Sequence, residues 1–274
     1  MPRFICSTCG TQYPESAATP EHCPICEDER QWVPASGQAW TRMETLAKHH
    51  QVVWEKEEEG LCSLAIEPSF AIGQRAFLVR QKDGNILWDC FSLVDDAIVG
   101  KIRELGGISA IAISHPHYYS SMLEWSAAFG GVPIHIHADD AEWVQRPGDA
   151  LEFWSGDRLA LGEATMIRCG GHFAGASVLH VPSLAGGGGA LLTGDTIQVV
   201  PDRKHVSFMY SYPNLIPLAE PAIRKIVEAV RPFAFETIYG AFEGRTIRKG
   251  GKQAVEASAL RYLRAIGTDN PTLD

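Results

Sequence analysis

The sequence lacks the long apolar runs and the excess of positive charge that would direct a protein to a membrane or to nucleic acid. No stretch approaches the roughly 18 apolar residues that a bilayer-spanning helix needs, and the N-terminal Met-Pro-Arg-Phe does not lead from a basic stretch into an apolar run. The formal net charge of −9 gives no overall attraction for a polyanion. We therefore expect a cytoplasmic protein without a nucleic-acid or membrane partner.

The chain is also too apolar to be disordered. Charged side chains make up 21% of the 274 residues and hydrophobic side chains make up 45%, which is typical of a globular protein with a packed core. A chain of this length accommodates one large α/β domain together with a small appendage.

The cysteines are not arranged as a disulfide framework. The seven cysteines are odd in number, and three of them are scattered along the chain. The other four form two Cys-x-x-Cys pairs, namely Cys6, Cys9, Cys23 and Cys26. Two thiolates from each tight turn can meet at one ion in a tetrahedral sulfur site, which suits Zn²⁺ or a single iron.

The segment around these cysteines, residues 4–34, resembles zinc ribbons and rubredoxin-like knuckles. It has few large apolar residues, so a bound metal would have to supply its folding free energy. Zinc would make the module structural, whereas iron would make it an electron carrier. We expect structural Zn²⁺, because nothing else in the sequence looks like a flavin site. The polar residues 35–38 mark the boundary, so we assign residues 1–36 to this module and residues 37–274 to the main domain.

The main domain alternates strand patterns with helix patterns, as an α/β fold does. The predicted strands are 64–66, 75–81, 85–89, 110–114, 177–182, 190–193 and 236–239. The predicted helices are 95–105, 121–128, 220–230 and 253–265. The Lys82-Asp83-Gly84 turn predicts a hairpin between the second and third of these strands.

A histidine pair follows the predicted buried strand at 110–114. His115 and His117 lie two residues apart, and in an extended turn such side chains point the same way, so both imidazoles can bind one ion. This spacing does not by itself identify a metal site, because it also occurs on ordinary strands. Downstream, His172 follows two glycines in a turn, and Asp195 places a carboxylate at a strand end.

Taken in order, these residues resemble the metallo-β-lactamase-fold hydrolases, which carry a His-x-His-x-Asp-His run, a later His, a later Asp and a final His. The resemblance covers residues 51–274 and implies an α/β fold of four layers, an αββα sandwich. It implies that His115, His117 and His172 are the ligands of the first metal site, and that Asp195 is the carboxylate that bridges the two sites or belongs to the second. Asp89 matches an early aspartate that supports the site.

The chain departs from this family pattern at three places. Tyr119 replaces the aspartate of the run, Ser120 replaces the histidine that follows it, and residues 238–242 offer no final histidine. A phenol with a pKa of about 10 and a serine hydroxyl are poor metal ligands compared with a carboxylate and an imidazole. We therefore expect one ion, Zn²⁺ or Fe²⁺, at this site.

Asp195 and Tyr119 are the predicted catalytic residues. Asp195 could be a fourth ligand or a general base. The neutral phenol of Tyr119 could donate a hydrogen bond to a developing oxyanion, or it could simply fill the space of the lost second ion. Both alternatives stay open at this point.

The resemblance implies a mononuclear metal-dependent hydrolase that uses a metal-activated water on an ester, a thioester or a similar small-molecule substrate. β-Lactam hydrolysis is not expected, because nothing in the sequence suggests export. One alternative is an iron-dependent oxidoreductase of the same fold, with the cysteine module as a rubredoxin-like electron donor. Another is a non-catalytic binding protein that retains a metal. The cysteine module could also serve as a contact in a homo-oligomer.

Overall fold

The computed structural model describes residues 1–268 and 271–273. They form two compact units, one from Met1 to Trp154 and one from Ser155 onward. No helix in this part of the chain is long and apolar enough to cross a membrane. The boundary between residues 36 and 37 stays a prediction.

The first unit begins with a small antiparallel sheet around the cysteines. Its elements are β1 (Arg3–Cys6), β2 (Gln12–Glu15), α1 (Pro24–Glu27), β3 (Trp40–Thr41) and α2 (Met43–Leu46). The strand order is β2-β1-β3. Tyr13 packs edge-on against Trp40 with ring centroids 5.1 Å apart, and Ile25 lies beside the cysteines. Cysteines and aromatic rings therefore make up a small core in this segment.

A larger, mixed sheet forms the rest of the first unit. Its strands are β4 (Gln51–Glu58), β5 (Leu61–Glu67), β6 (Ala76–Val79), β7 (Ile86–Trp88), β8 (Ala110–Ala112), β9 (Ile134–His137) and β10 (Leu151–Trp154). They follow one another in sequence order from β4 to β10 across the sheet. Strands β4 to β7 pair antiparallel, and β7 to β10 pair in parallel.

Parallel neighbours need crossover connections, and the sequence supplies helices there. Helix α3 (Asp96–Glu104) connects β7 to β8, and helix α4 (Met122–Ala128) connects β8 to β9. Both match predicted helices, and the predicted hairpin of β6 with β7 is also present. The turn between β8 and α4, which includes a 3₁₀ segment at Pro116–Tyr118, carries the histidine pair.

The second unit has its own mixed sheet. Its strands are β11 (Arg158–Leu161), β12 (Ala164–Arg168), β13 (Ser177–Val181), β14 (Ala190–Leu192), β19 (Thr237–Tyr239) and β20 (Thr246–Ile247), in this order across the sheet. Two small hairpins lie between β14 and β19, namely β15 (Gln198–Val199) with β16 (Val206–Ser207) and β17 (Met209–Ser211) with β18 (Ile216–Pro217).

Two helices share an apolar core with this second sheet. They are α5 (Glu220–Val230) and α6 (Gly251–Ala265). The buried residues of α5 recur three or four positions apart, as on one face of a helix; they are Ile223, Ile226, Val227 and Val230. They join Val178 of β13 and Leu191 of β14 in one buried cluster. The apolar residues whose spacing predicted α5 thus lie on the helix face that this unit buries.

Candidate metal centres

The four predicted cysteine ligands meet in the first unit. Their sulfur atoms all lie within 4.8 Å of one another. The Sγ atoms of Cys6 and Cys26 are 3.6 Å apart, and those of Cys9 and Cys23 are 3.5 Å apart. A tetrahedron of thiolates about 2.3 Å from a zinc ion has sulfur atoms roughly 3.8 Å apart. The cluster therefore fits one tetrahedral metal ion.

Two tight turns bring these sulfurs together. The amide of Gly10 donates to the carbonyl of Cys6 at 2.9 Å, and Gly10 has a φ of 83°, which glycine adopts without strain. The amide of Cys26 donates to the carbonyl of Cys23 at 2.9 Å as α1 begins. Glycine after the first pair and a helix start at the second explain why these short segments fold as knuckles.

The buried thiols perturb one another. Burial raises the pKa of the Cys9 thiol well above its usual range, whereas hydrogen bonding from the neighbouring thiols, chiefly Cys23, lowers the pKa of Cys6. A divalent cation would stabilise the deprotonated sulfurs.

His115 and His117 are buried side by side in the first unit. Their ring centroids are 5.2 Å apart, and their residues are 1% and 2% exposed. His115 is extended, with φ −169° and ψ 170°, and Pro116 then starts the 3₁₀ turn that carries His117. The predicted pairing of the two imidazoles on one side of the turn is consistent with this geometry.

Ser114 and Asp89 fix the orientation of His115. The Ser114 hydroxyl donates to Asp89 Oδ2 at 3.0 Å, and the backbone amide of Ser114 donates to Asp89 Oδ1 at 2.7 Å. Since the hydroxyl hydrogen is directed at Asp89, the 2.8 Å contact between Ser114 Oγ and His115 Nδ1 is donated by the ring. That tautomer leaves Nε2 of His115 with the lone pair that a metal ion needs.

His172 has the same tautomer for a different reason in the second unit. Its Nδ1 lies 2.9 Å from the carbonyl oxygen of Tyr210, which can only accept, so the ring donates through Nδ1 and presents Nε2. Asp195, which follows β14, accepts at its carbonyl a 2.9 Å hydrogen bond from the Tyr212 hydroxyl. The β17–β18 segment thus contacts both of the ligands predicted in this unit.

Tyr119 lies in the interior of the first unit. Its hydroxyl donates to the carbonyl of Asp140 at 3.0 Å, and the residue is 2% exposed. Burial raises the pKa of the phenol well above its usual value, so it stays neutral. Because its one hydrogen is engaged, this geometry favours the space-filling alternative. The catalytic role of Tyr119 stays a prediction. The next residue, Ser120, has a φ of 30°.

Comparison with known proteins gives one close relative and a shared fold. No family model matches the chain. The protein named Uncharacterized protein YmaE from Bacillus subtilis (strain 168) is 47% identical over 272 residues, which cover 98% of each chain.

Solved structures of metallo-β-lactamases resemble this chain. DIM-1 matches with a TM-score of 0.56 at 14% identity, over 76% of this chain and 97% of that chain. FIM-1 from Pseudomonas aeruginosa, in its mono-zinc form, matches with a TM-score of 0.56 at 17% identity, over 78% of this chain and 96% of that chain. At such identities the likeness shows the fold alone, and it confirms the predicted metallo-β-lactamase fold.

Proposed function

We propose that this chain, which belongs to the family of the Bacillus subtilis protein YmaE, is a metal-dependent hydrolase whose active site holds one metal ion. Its ligands are His115, His117 and His172, with Asp195 as a fourth ligand or as a proton acceptor. The observation that carries this proposal is the pair of hydrogen bonds that put the Nδ1 hydrogen on His115 and on His172. Both rings are thereby set to bind a metal through Nε2.

The chemistry of the donor set suits zinc. Three neutral imidazoles with or without one carboxylate are common zinc ligands, and Fe²⁺ is the alternative ion for the same set. When bound there, such an ion lowers the pKa of a coordinated water to about 7 and polarises a carbonyl oxygen. We propose an ester, a thioester or a similar small electrophile as the substrate.

Tyr119 and Ser120 support the choice of one ion. The phenol is neutral and is directed at the carbonyl of Asp140, and the carbonyl of Ser120 accepts a 3.1 Å hydrogen bond from the amide of Gln12. Neither position offers the carboxylate or the imidazole that a second ion requires. FIM-1, a relative in fold, is itself described in a mono-zinc form.

Hydrolysis of simple acyl compounds tests the proposal. Zinc-loaded protein is assayed with a panel of aryl esters and acyl thioesters before and after chelation. We expect turnover that chelation abolishes and added Zn²⁺ restores, and that His115→Ala and His172→Ala each remove. His135→Ala is the matched control, because His135 lies on β9 beside Glu152, at a 3.4 Å contact. Turnover that survives in His115→Ala would contradict the proposal.

An electron-transfer function is the second candidate, because the four-cysteine cluster fits iron as well as zinc. It predicts iron at the cysteines of protein purified without added metal, with a visible thiolate-to-iron absorption band. Zinc at the cysteines, without that band, would contradict it. Elemental analysis with an absorption spectrum of the same sample therefore separates the two functions.

A further inference from the structure

The first cysteine knuckle lies against the turn that carries the histidine pair, and both are in the first unit. We call residues 6–12 the knuckle and residues 115–121 the histidine turn. The hydroxyl of Ser92 donates to the carbonyl of Gly10 at 2.8 Å, and the hydroxyl of Ser121 donates to the carbonyl of Ser92 at 2.9 Å. The amide of Gln12 donates to the carbonyl of Ser120 at 3.1 Å. These buried bonds join the knuckle directly to the histidine turn.

The knuckle packs so closely against the histidine turn that a change in the knuckle's conformation alters the packing of the turn. A Cβ added at Gly10 would lie 2.6 Å from the hydroxyl of Ser92 and 3.6 Å from that of Ser120. Ser120 itself has a φ of 30°, a left-handed conformation that few L residues adopt. The bond from Gln12 stabilises the backbone at that point.

A network of charged side chains adds a second connection. The Gln12 side-chain carbonyl accepts from Arg146 Nη1, and the same nitrogen lies 2.8 Å from Glu124 Oε1. Arg3 of β1 also donates to Glu124 Oε1, at 3.1 Å. Glu124 is on α4, which begins directly after the histidine turn. The cysteine module therefore contacts the turn and the following helix at once.

The conformation of the knuckle depends on what its cysteines bind. The module has a small core, so a metal ion bound to the four thiolates would be a main source of its folding free energy. We propose that the two metal sites are coupled: a metal ion at the cysteines holds the histidine turn in its ligand geometry and so raises the metal affinity of the histidine site. This inference rests on the proposed function for the identity of the histidine-site ligands.

Ser120 stands where the resembled family has a metal ligand. In that family, the residues at the positions of Tyr119 and Ser120 bind the second ion. Here the knuckle contacts Ser120 through Gln12 instead. Coupling between two binding events is reciprocal, so an ion at the histidines also raises the affinity of the cysteines for theirs.

Amide hydrogen exchange tests whether the contact with the knuckle orders the histidine turn when no ion is bound at the histidines. His172→Ala removes one proposed ligand in the second unit and leaves the histidine turn unaltered, so it is the background for every sample. With Zn²⁺ at the cysteines, we expect Ser92→Ala to raise amide exchange across residues 115–121 about tenfold. Ser126→Ala is the matched control, since Ser126 and Ser92 are both 2% exposed and each donates to a backbone carbonyl. Equal exchange in the two variants would overturn the proposal.

Metal titration tests the energetic part in the otherwise unmodified chain. Co²⁺ is the probe, because its thiolate charge-transfer bands report the cysteines alone, so d–d absorption that grows without a change in those bands reports the histidines. We expect the affinity of the histidine site to fall about fivefold or more in Ser92→Ala, and to stay unchanged in Ser126→Ala. Equal affinities would overturn the coupling. A chain that binds Co²⁺ at the cysteines alone would instead overturn the proposed function, and the exchange result would still decide the contact of knuckle and turn.

Discussion

Ser114 is a single residue on which the proposed chemistry depends, because its hydroxyl connects the carboxylate of Asp89 to the ring of His115. In Ser114→Ala the ring loses the acceptor that keeps its hydrogen on Nδ1. We expect zinc affinity at the histidine site to fall about ten- to a hundredfold, as for other groups that orient a metal ligand. Competition with a chromophoric chelator measures this.

Ser109→Ala is the control for that experiment, because its hydroxyl donates to the carbonyl of Asn85 at 3.1 Å in the same unit. Equal zinc affinities in the two serine variants would show that the tautomer of His115 does not depend on Ser114.

Tyr119→Phe separates the two roles of this phenol. The variant leaves the buried carbonyl of Asp140 without its 3.0 Å donor, so we expect the free energy of unfolding to fall by about 1–2 kcal/mol. A residue that only fills space leaves turnover nearly unchanged. A donor to an oxyanion would cost about a hundredfold or more in kcat. Chemical denaturation and ester hydrolysis of the same preparation distinguish these outcomes.

His180 gives the fold a pH dependence of known sign. Burial lowers the pKa of its imidazole, which lies on β13 and donates to the carbonyl of Ala234 at 2.8 Å. As the pH falls below about 6.5, the unfolded chain takes up the proton before the folded chain does, so the folded state loses stability. The stabilising contribution is complete above that pH.

We therefore expect the urea midpoint of the wild type to drop more than that of His180→Gln between about pH 7.5 and about pH 5. Glutamine can still donate to Ala234, and metal loss in acid affects both proteins alike. Parallel midpoints at all pH values would rule His180 out as the source.

For the histidine site, the sequence identified four ligand candidates and, through the family resemblance, Asp89 as a supporting residue, but not the other groups that contact them. His172 is recognisable because imidazole is a metal ligand. Its partner is the backbone carbonyl of Tyr210, and every residue has a carbonyl, so no side chain signals that contact. Asp140 holds Tyr119 through a carbonyl in the same way. Such partners become visible only when the fold brings distant segments together.

At the scale of elements, Asp95 holds a helix and a strand together. Its carboxylate accepts from the amide of Ile98 at 2.8 Å, which caps α3, and from the amide of Val52 in β4 at 3.0 Å. We expect Asp95→Ala to lower the free energy of unfolding by about 1–2 kcal/mol, because the cap alone contributes about 1 kcal/mol. Denaturant titration checks this, with Asp96→Ala as control. Equal midpoints in the two variants would contradict the assignment.

Elements with strong local signals were predicted closely. Helix α5 was predicted at 220–230 and spans Glu220–Val230, because its apolar residues recur at helical spacing and Pro221 fits the first turn. The short hairpins of the second unit were not predicted. β15 and β17 are only two and three residues long, too short for an alternating pattern to appear. Tertiary contacts, and not local propensity, fix such strands.

At the scale of the whole molecule, the sequence predicted the fold better than the chemistry. The resemblance of this chain to a known family, carried by His115, His117, His172 and Asp195, predicted the metallo-β-lactamase fold. Solved structures share that fold over about three quarters of the chain. The fold does not determine the reaction, because substrate contacts lie in loops that differ among proteins of one fold. The number of metal ions that the whole chain binds bears most directly on the proposed function.

We expect two metal ions per chain, one at the cysteine cluster and one at the proposed histidine site. The double variant His115→Ala, His117→Ala should keep one ion, bound by thiolates, because the cysteine cluster needs no imidazole. Excess Zn²⁺ should add no third ion, since the phenol of Tyr119 and the hydroxyl of Ser120 cannot replace a carboxylate and an imidazole. Elemental analysis after gel filtration counts the ions. A third tightly bound ion in the wild type would mean that these two residues leave a second site intact, and the mononuclear proposal would then fail.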